Sequence, residues 1–241
     1  MGLLEDIIAN IGEDAPVKEV RIGPFWTGVW SRYCGMATTT FRHEPKKPYH
    51  VAEAGDLTAK SGLELCRYAL SDSLMESSIG LAAINSLLTV DLEKCRDINA
   101  GEVLAEKGGG KKVAVVGHFP FVERLRKVAE ELWVLERKPQ SGDLPASEAE
   151  GVIPRADVVA ITGTALINGT MEGLLKLCRT DSLVMILGPT TPLTPVWFDY
   201  GVDLISGTRV VEPEQLLRFI SQGIVFKQLG GRAVKLLTMA R

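Results

Sequence analysis

The chain has 241 residues, 46% hydrophobic and 24% charged, the balance of an ordinary globular protein with ample surface to bury. A formal net charge of −3 gives no electrostatic basis for binding nucleic acid, and the most apolar helical stretch, Ile79 to Leu88, is too short and too polar to span a bilayer. Four widely spaced cysteines (Cys34, Cys66, Cys95, Cys178), no Cys-x-x-Cys pair and no signal-peptide pattern predict a reducing, cytoplasmic setting.

Leu4, Ile7, Ile8 and Ile11 predict a first helix, with Gly12 as its C′ residue. Val17 to Ser31 is expected to be strand, with Gly23-Pro24 and Gly28 as turn or bulge points. Met36 to Arg42 is a second extended piece carrying three consecutive threonines, and the residues from His43 to Pro48 are a loop. Leu63, Cys66 and Leu70 repeat at helical spacing. Ser73-Leu-Met-Glu76 is a capping box opening a further helix through Ile79, Ala82, Ala83 and Leu87. A few strands followed by helices suggest a small α+β domain over residues 1–96, with its boundary in the polar segment Asp91 to Asn99.

From Ala100 the pattern alternates, as in a mainly parallel, doubly wound α/β domain over residues 97–241. A helix at Gly101 to Lys107 leads to the strand Val113 to Val116. Phe121, Leu125, Val128 and Leu132 then predict an amphipathic helix. Further strands are expected at Trp133–Glu136, Val158–Thr162, Leu183–Leu187, Val202–Ile205 and Ala233–Leu237. Between them, Met171, Leu174, Leu175 and Cys178 mark one helix face. Leu216, Leu217 and Ile220 mark another, with Pro213 at N1 and Gly223 at the end.

Small and hydroxyl residues follow the strands. They are Gly117-His118-Phe119-Pro120, then Thr162-Gly163-Thr164 continuing to Asn168 and Thr170, then Gly188-Pro189-Thr190-Thr191, then Ser206-Gly207-Thr208. In a parallel sheet these loops share the carboxyl edge, where ligands bind. Gly117, Phe119, Thr162, Gly163, Thr164, Asn168, Thr170, Gly188, Thr190 and Thr191 are therefore the candidate ligand shell. Thr170 also stands where an N-cap would start the Met171 helix. Glu136 lies nineteen positions after Gly117, the spacing of an acidic residue that bonds a ribose hydroxyl; a strand end paired with Arg137 is the alternative. A standard NAD site is not expected, because Pro120 removes a donor and Phe119 and Phe121 crowd the pyrophosphate position. His118 is the candidate for proton transfer or metal ligation, or else a turn histidine bonding a carbonyl. Asp143 either points into the crevice or caps a short helix near Ser147 to Ala149. Cys34, His43 and His118 are metal candidates only if the fold brings them together, since no closed zinc spacing is present. Trp26, Thr27, Cys34, Gly35, Ser78, Gly80 and Asn85 are expected to pack the first domain over the loops at His118, Thr164 and Thr190; the alternative is that they only fill the core of the first domain.

Together, Arg21-Ile-Gly-Pro-Phe-Trp-Thr27, Cys34-Gly35, Glu76 to Ser86, Gly117 to Phe121, Gly142-Asp-Leu-Pro145, Ile161 to Ala165, Asn168-Gly-Thr170 and Gly188 to Pro192 resemble a prokaryotic family known as "putative heavy-metal chelation". The resemblance implies an enolase-N-terminal-like domain followed by a Rossmann-like one, and a role near metal ions or metal-chelating cofactors. It supplies no catalytic residues. The expected function is a binding protein for a small anionic or metal-chelating ligand held between the two domains. The alternatives are an enzyme acting on such a cofactor or its precursor, with His118 as acid or base and Glu136 or Asp143 as partner, and a scaffold with a vestigial crevice. Small-molecule or metal partners fit these readings, nucleic acid and membrane do not, and a homo-oligomer is compatible with them.

Overall fold

In the computed structural model, which describes residues 2–41, 50–229 and 231–241, the chain forms a three-stranded and an eight-stranded sheet. Helix α1 (Leu3–Ala9) buries Leu3 and Ile7 and carries Glu5 and Asp6 in its first turn, where the helix dipole favours acidic groups. Strands β1 (Glu19–Ile22), β2 (Trp26–Trp30) and β3 (Cys34–Thr38) then form an antiparallel meander. The Val17–Ser31 stretch is thus a hairpin that turns at the expected Gly23-Pro24, closed where the Gly23 N–H donates to the Trp26 carbonyl at 2.8 Å. Gly28 is no bulge. It pairs in register with Arg21 and Met36, and an added Cβ would come within 2.8 Å of Ile220 and Leu217 side-chain carbons.

Helix α2 (Gly62–Cys66) is opened by a reciprocal Ser61–Glu64 capping box and runs into a tighter turn whose Leu70 faces solvent. Helix α3 (Leu74–Leu87) has only half of its expected box. The Ser73 hydroxyl accepts the Glu76 N–H, but the Glu76 carboxylate instead accepts the Ala52 N–H and the Ser71 hydroxyl. This helix is buried on nearly every side, with Ser77, Ser78 and Ser86 included, because it lies between the small sheet and the large one. Its serine hydroxyls are satisfied locally, Ser78 donating to Leu74 O and Ser86 to Ala83 O.

The second half alternates as expected. Short β4 (Cys95–Arg96) and α4 (Ala100–Lys107), capped by Asn99, precede β5 (Lys112–Val116), α5 (Val122–Leu125), β6 (Glu131–Glu136), β7 (Leu144–Pro145) and α6 (Ala149–Val152). There follow β8 (Val158–Thr162), α7 (Thr164–Ile167), α8 (Met171–Leu177), β9 (Leu183–Leu187), β10 (Leu204–Val210), α9 (Pro213–Ser221), α10 (Phe226–Leu229) and β11 (Val234–Ala240). The sheet order is β4-β11-β10-β9-β8-β5-β6-β7. The run from β10 to β7 is parallel, while β11 is antiparallel to β10 and β4 to β11.

Two expectations differ. The helix over Phe121 to Leu132 is a single turn. Leu132 belongs to β6, and the Gly110 N–H takes the Val128 carbonyl, so the chain is already returning to the base of β5. Leucine at helical spacing thus coincided with strand alternation. The Ser206-Gly207-Thr208 segment is not a loop, because β10 continues through it to pair with β11 along seven residues.

Strand residues alternate between two apolar cores. Val113, Val115, Val158, Ala160, Met185 and Leu187 join α4 and α5 on one face. Ala114, Val159, Ile161, Val184 and Ile186 join α3, α7 and α1 on the other, so one core runs through both halves of the chain. A third cluster packs Trp26, Cys34 and Met36 of the meander against Leu216, Leu217 and Ile220 of α9. Polar pins sit where β3 meets the large sheet. The Thr38 N–H donates to Thr190 Oγ1 at 3.0 Å, the two hydroxyls share a further 3.0 Å bond, and Asn85 Nδ2 donates to Met36 O and Thr190 O.

Two stability experiments follow from this packing. At Gly80 an added Cβ would lie 1.9 Å from the Ala69 backbone nitrogen, so Gly80→Ala should lose about 3 kcal/mol or more on denaturant unfolding, exceeding the ~1 kcal/mol helix-propensity gain. Gly173→Ala, in α8 with open space around it, should be neutral or gain up to ~1 kcal/mol. Equal effects at the two sites would contradict the packing. Thr190→Val strands the Thr38 N–H and should cost ~1–3 kcal/mol in the same assay. Thr38→Val keeps that N–H bond and should cost ~1 kcal/mol or less.

Candidate functional site

From β5 the chain moves outward to β6 on one side and later returns to β8 on the other, so the strand order reverses between β5 and β8. At such a switch point the loops diverge and leave a crevice at the carboxyl edge. Gly117 turns the chain there with φ of +102°, and a Cβ on it would meet the Thr162 side chain at 3.2 Å. The crevice is a cavity of about 980 Å³.

Strand ends Val116, Thr162 and Leu187 form its floor, and Phe119, Phe121, Leu174 and Leu237 add apolar walls. The meander closes it with Trp26, Thr38 and Thr40, and Phe226 stands beside Trp26 with ring centroids 5.8 Å apart. Of the sequence candidates, Gly117, His118, Phe119, Glu136, Thr162, Gly163, Thr164, Asn168, Thr170, Gly188 and Thr190 all line it. Thr191 packs behind, its Oγ1 2.5 Å from where a Gly163 Cβ would stand, and that buried hydroxyl has no hydrogen-bond partner among the described residues.

His118 is held at three points. Its backbone N–H donates to Glu136 Oε2 at 3.1 Å. Its Nδ1 lies 2.9 and 3.1 Å from the two oxygens of Asp143, whose side chain is fully buried. Asp143 is fixed in turn by the Gln140 N–H at 3.0 Å. A carboxylate only accepts, so in the neutral ring Nδ1 carries the proton and Nε2 the lone pair. Asp143 therefore stands behind the histidine and does not cap the helix near Ser147. Glu136 also accepts the Arg137 backbone N–H at 2.7 Å, closing the ends of β5 and β6 together.

The threonine loop is bonded within itself. Thr162 Oγ1 donates to Thr164 Oγ1 and accepts the Thr164 N–H. Thr170 holds the N-cap position, yet its hydroxyl donates to Asn168 Oδ1 at 2.6 Å. That leaves the Asn168 NH₂ group without a partner among the described residues. Cys34 lies in the Trp26–Met36 core, away from His118, and burial, with Glu19 nearby, pushes its thiol up to about 12. His43 lies outside the described residues. Among the described residues no three His, Cys, Asp or Glu gather into a metal cage. Of the metal candidates among the described residues, His118 is the one that lines the cavity, and the buried Asp143 carboxylate stands behind its ring.

The sequence left Thr38, Thr40, Phe226 and Lys227 unassigned, although all four line the cavity. The run Thr38-Thr-Thr40 carried a usable signal, because residues two apart on an extended chain share a side. Nothing local marked Phe226 and Lys227, which α10 brings in from the far end of the chain.

Residues 99–239 match a family model described as putative heavy-metal chelation, and residues 4–88 match a second model of the same description. An uncharacterized protein of Methanocaldococcus jannaschii is 29% identical over 183 residues, 71% of each chain. A crystal structure of a DUF364-family protein of unknown function from Desulfitobacterium hafniense is similar with a TM-score of 0.85 and 27% identity, covering 99% of this chain and 98% of that one. A second, from Pyrococcus horikoshii, shares the fold at TM-score 0.82 and 20% identity over 99% and 98% of the two chains. The matched residues span more than half of the sequence, and the chain belongs to the DUF364 family, described as putative heavy-metal chelation.

Proposed function

We propose that this protein binds a small organic molecule bearing an anionic or metal-chelating group, held between a first domain (1–96) and a second (97–241). The observation that carries the proposal is the cavity of about 980 Å³ at the strand-order reversal, with walls from both halves of the chain. That volume suits an organic ligand and far exceeds what a bare ion needs. Aromatic and aliphatic walls would bury its apolar body. Asn168, Thr164, Thr170 and Thr208 supply neutral polar groups, and Arg137 and Lys227 supply positive charge for an anion. A Rossmann-like description of the second domain is supported by its six parallel strands, whose order matches that of dinucleotide-binding sheets. Four unpaired cysteines support a cytoplasmic setting as part of the same proposal. No helix among the described residues is long and apolar enough to cross a membrane.

A second reading, an enzyme acting on such a ligand, is favoured by one feature: Asp143 holds His118 in the tautomer that leaves Nε2 able to accept a proton. His118→Ala would then abolish turnover of a co-purified ligand while leaving its binding intact.

Two measurements test the binding proposal. Native mass spectrometry of untagged protein should show a bound organic mass. Titration with the anionic aromatic dye 8-anilinonaphthalene-1-sulfonate should give one site that draws energy from Trp26. Thr164→Trp, which fills the cavity, should abolish that site, and Asn168→Ala should weaken it by about fivefold, a hydrogen bond of ~1 kcal/mol. Unchanged dye binding in Thr164→Trp would overturn the proposal.

A further inference from the structure

We infer that His118 Nε2 is the protein's own ligand to a divalent transition-metal ion that enters the cavity inside a flat, anionic organic chelate. The inference rests on the binding proposal above and narrows its ligand class.

Three observations support it. First, the ring is prepared for coordination. Asp143, fully buried and fixed by Gln140, sits against Nδ1 at 2.9 Å, the arrangement that orients a metal-bound imidazole and raises its basicity. An imidazole turned this way suits zinc, copper, nickel or iron and is a poor ligand for magnesium or calcium.

Second, the ring is accessible where the cavity is. His118 lines it, its side chain is 29% exposed, and among the described residues Nε2 has no hydrogen-bond partner. The backbone on either side cannot easily drift, because Glu136 holds the His118 N–H and Gly117 occupies a left-handed turn.

Third, one imidazole supplies one donor where a transition metal takes four or more. The described residues place no further cluster of metal ligands around it. The space in front of it, about 980 Å³ with apolar walls, is sized for an organic molecule that brings the remaining donors. Phe119 and Phe121, stacked at 5.0 Å with planes 9° apart on the same loop, offer a flat apolar wall beside the histidine. Such a wall suits a planar chelator. Arg137 and Lys227 would neutralise its carboxylates. A pair that merely fastened the loop would need neither an open Nε2 nor a cavity before it.

The probe is the 1:1 complex of copper(II) with pyridine-2,6-dicarboxylate, a planar complex of a dianionic chelator that is neutral overall and leaves coordination positions open. Pulsed electron paramagnetic resonance on the full-length protein should show coupling to one imidazole. His118→Ala should lose that coupling, and Asp143→Asn should weaken chelate binding by ~10–100-fold. Thermal unfolding checks that each variant is folded, and His118→Gln serves in place of His118→Ala if the latter is not. Imidazole coupling that persists in the His118 variant would mean another histidine captured the copper, and would overturn the inference. Dye binding without imidazole coupling in the wild type would also overturn it while leaving the binding proposal standing. Loss of both in the wild type would overturn the two together.

Discussion

The structure depends on the burial of α3, the apolar helix that the small sheet and the large sheet share. Its residues Ile79, Leu81, Ile84 and Leu87 are almost wholly removed from water, and they lie in the same core as Ile161, Ile167 and Trp197. Fully burying one such side chain is worth ~1.5–3 kcal/mol, so a handful of them outweigh the polar pins at Thr38, Thr190 and Asn85, each worth ~1 kcal/mol net. Apolar burial therefore fixes that the meander sits on the carboxyl edge. The hydrogen bonds, being directional, fix where along that edge it sits. The cavity is what remains between them: the strands diverge at the switch point, and the roof is held from its flanks by α3 and α9.

Much of this was legible in residue order. Runs such as Val113-Ala-Val-Val116 and Val158-Val-Ala-Ile-Thr162 read as buried strands because both faces of a parallel strand are covered. The glycines and threonines after them marked one edge of the sheet. The length of α5 was not legible, since Leu125 and Leu132 fit either period and only pairing with β5 decides. The partner of Glu76 was also hidden. Its carboxylate answers to Ala52, twenty-four positions earlier, in place of its own N-cap.

The candidate site shows the same division. His118, Glu136 and Asp143 could each be picked out as polar residues near strand ends, but not their roles. Asp143 reaches His118 because it immediately precedes the two-residue strand β7, whose Leu144 and Pro145 pair with the end of β6, and twenty-five positions of chain separate the pair. The cavity's roof was expected from Trp26, Thr27, Cys34, Gly35, Ser78, Gly80 and Asn85. Trp26 lines it and Asn85 bonds Thr190 O, whereas Gly35 packs on α3 and Gly80 on Ala69, inside the first half of the chain. Threonines 38 and 40 were seen only as β-formers, since their second function depends on contact with a loop some 150 residues away.

The order of the large sheet has one more effect. Its outermost strands, β4 and β7, are two residues each, while the strands inside are five to seven. An edge that short presents no continuous row of free N–H and C=O groups for another strand to zip onto. The two short strands cover only Thr238 and Met239 of β11 and only Leu135 and Glu136 of β6, so each side of the sheet has a step where the short strand stops. A strand arriving from outside therefore meets that step and finds no single straight ladder along either side.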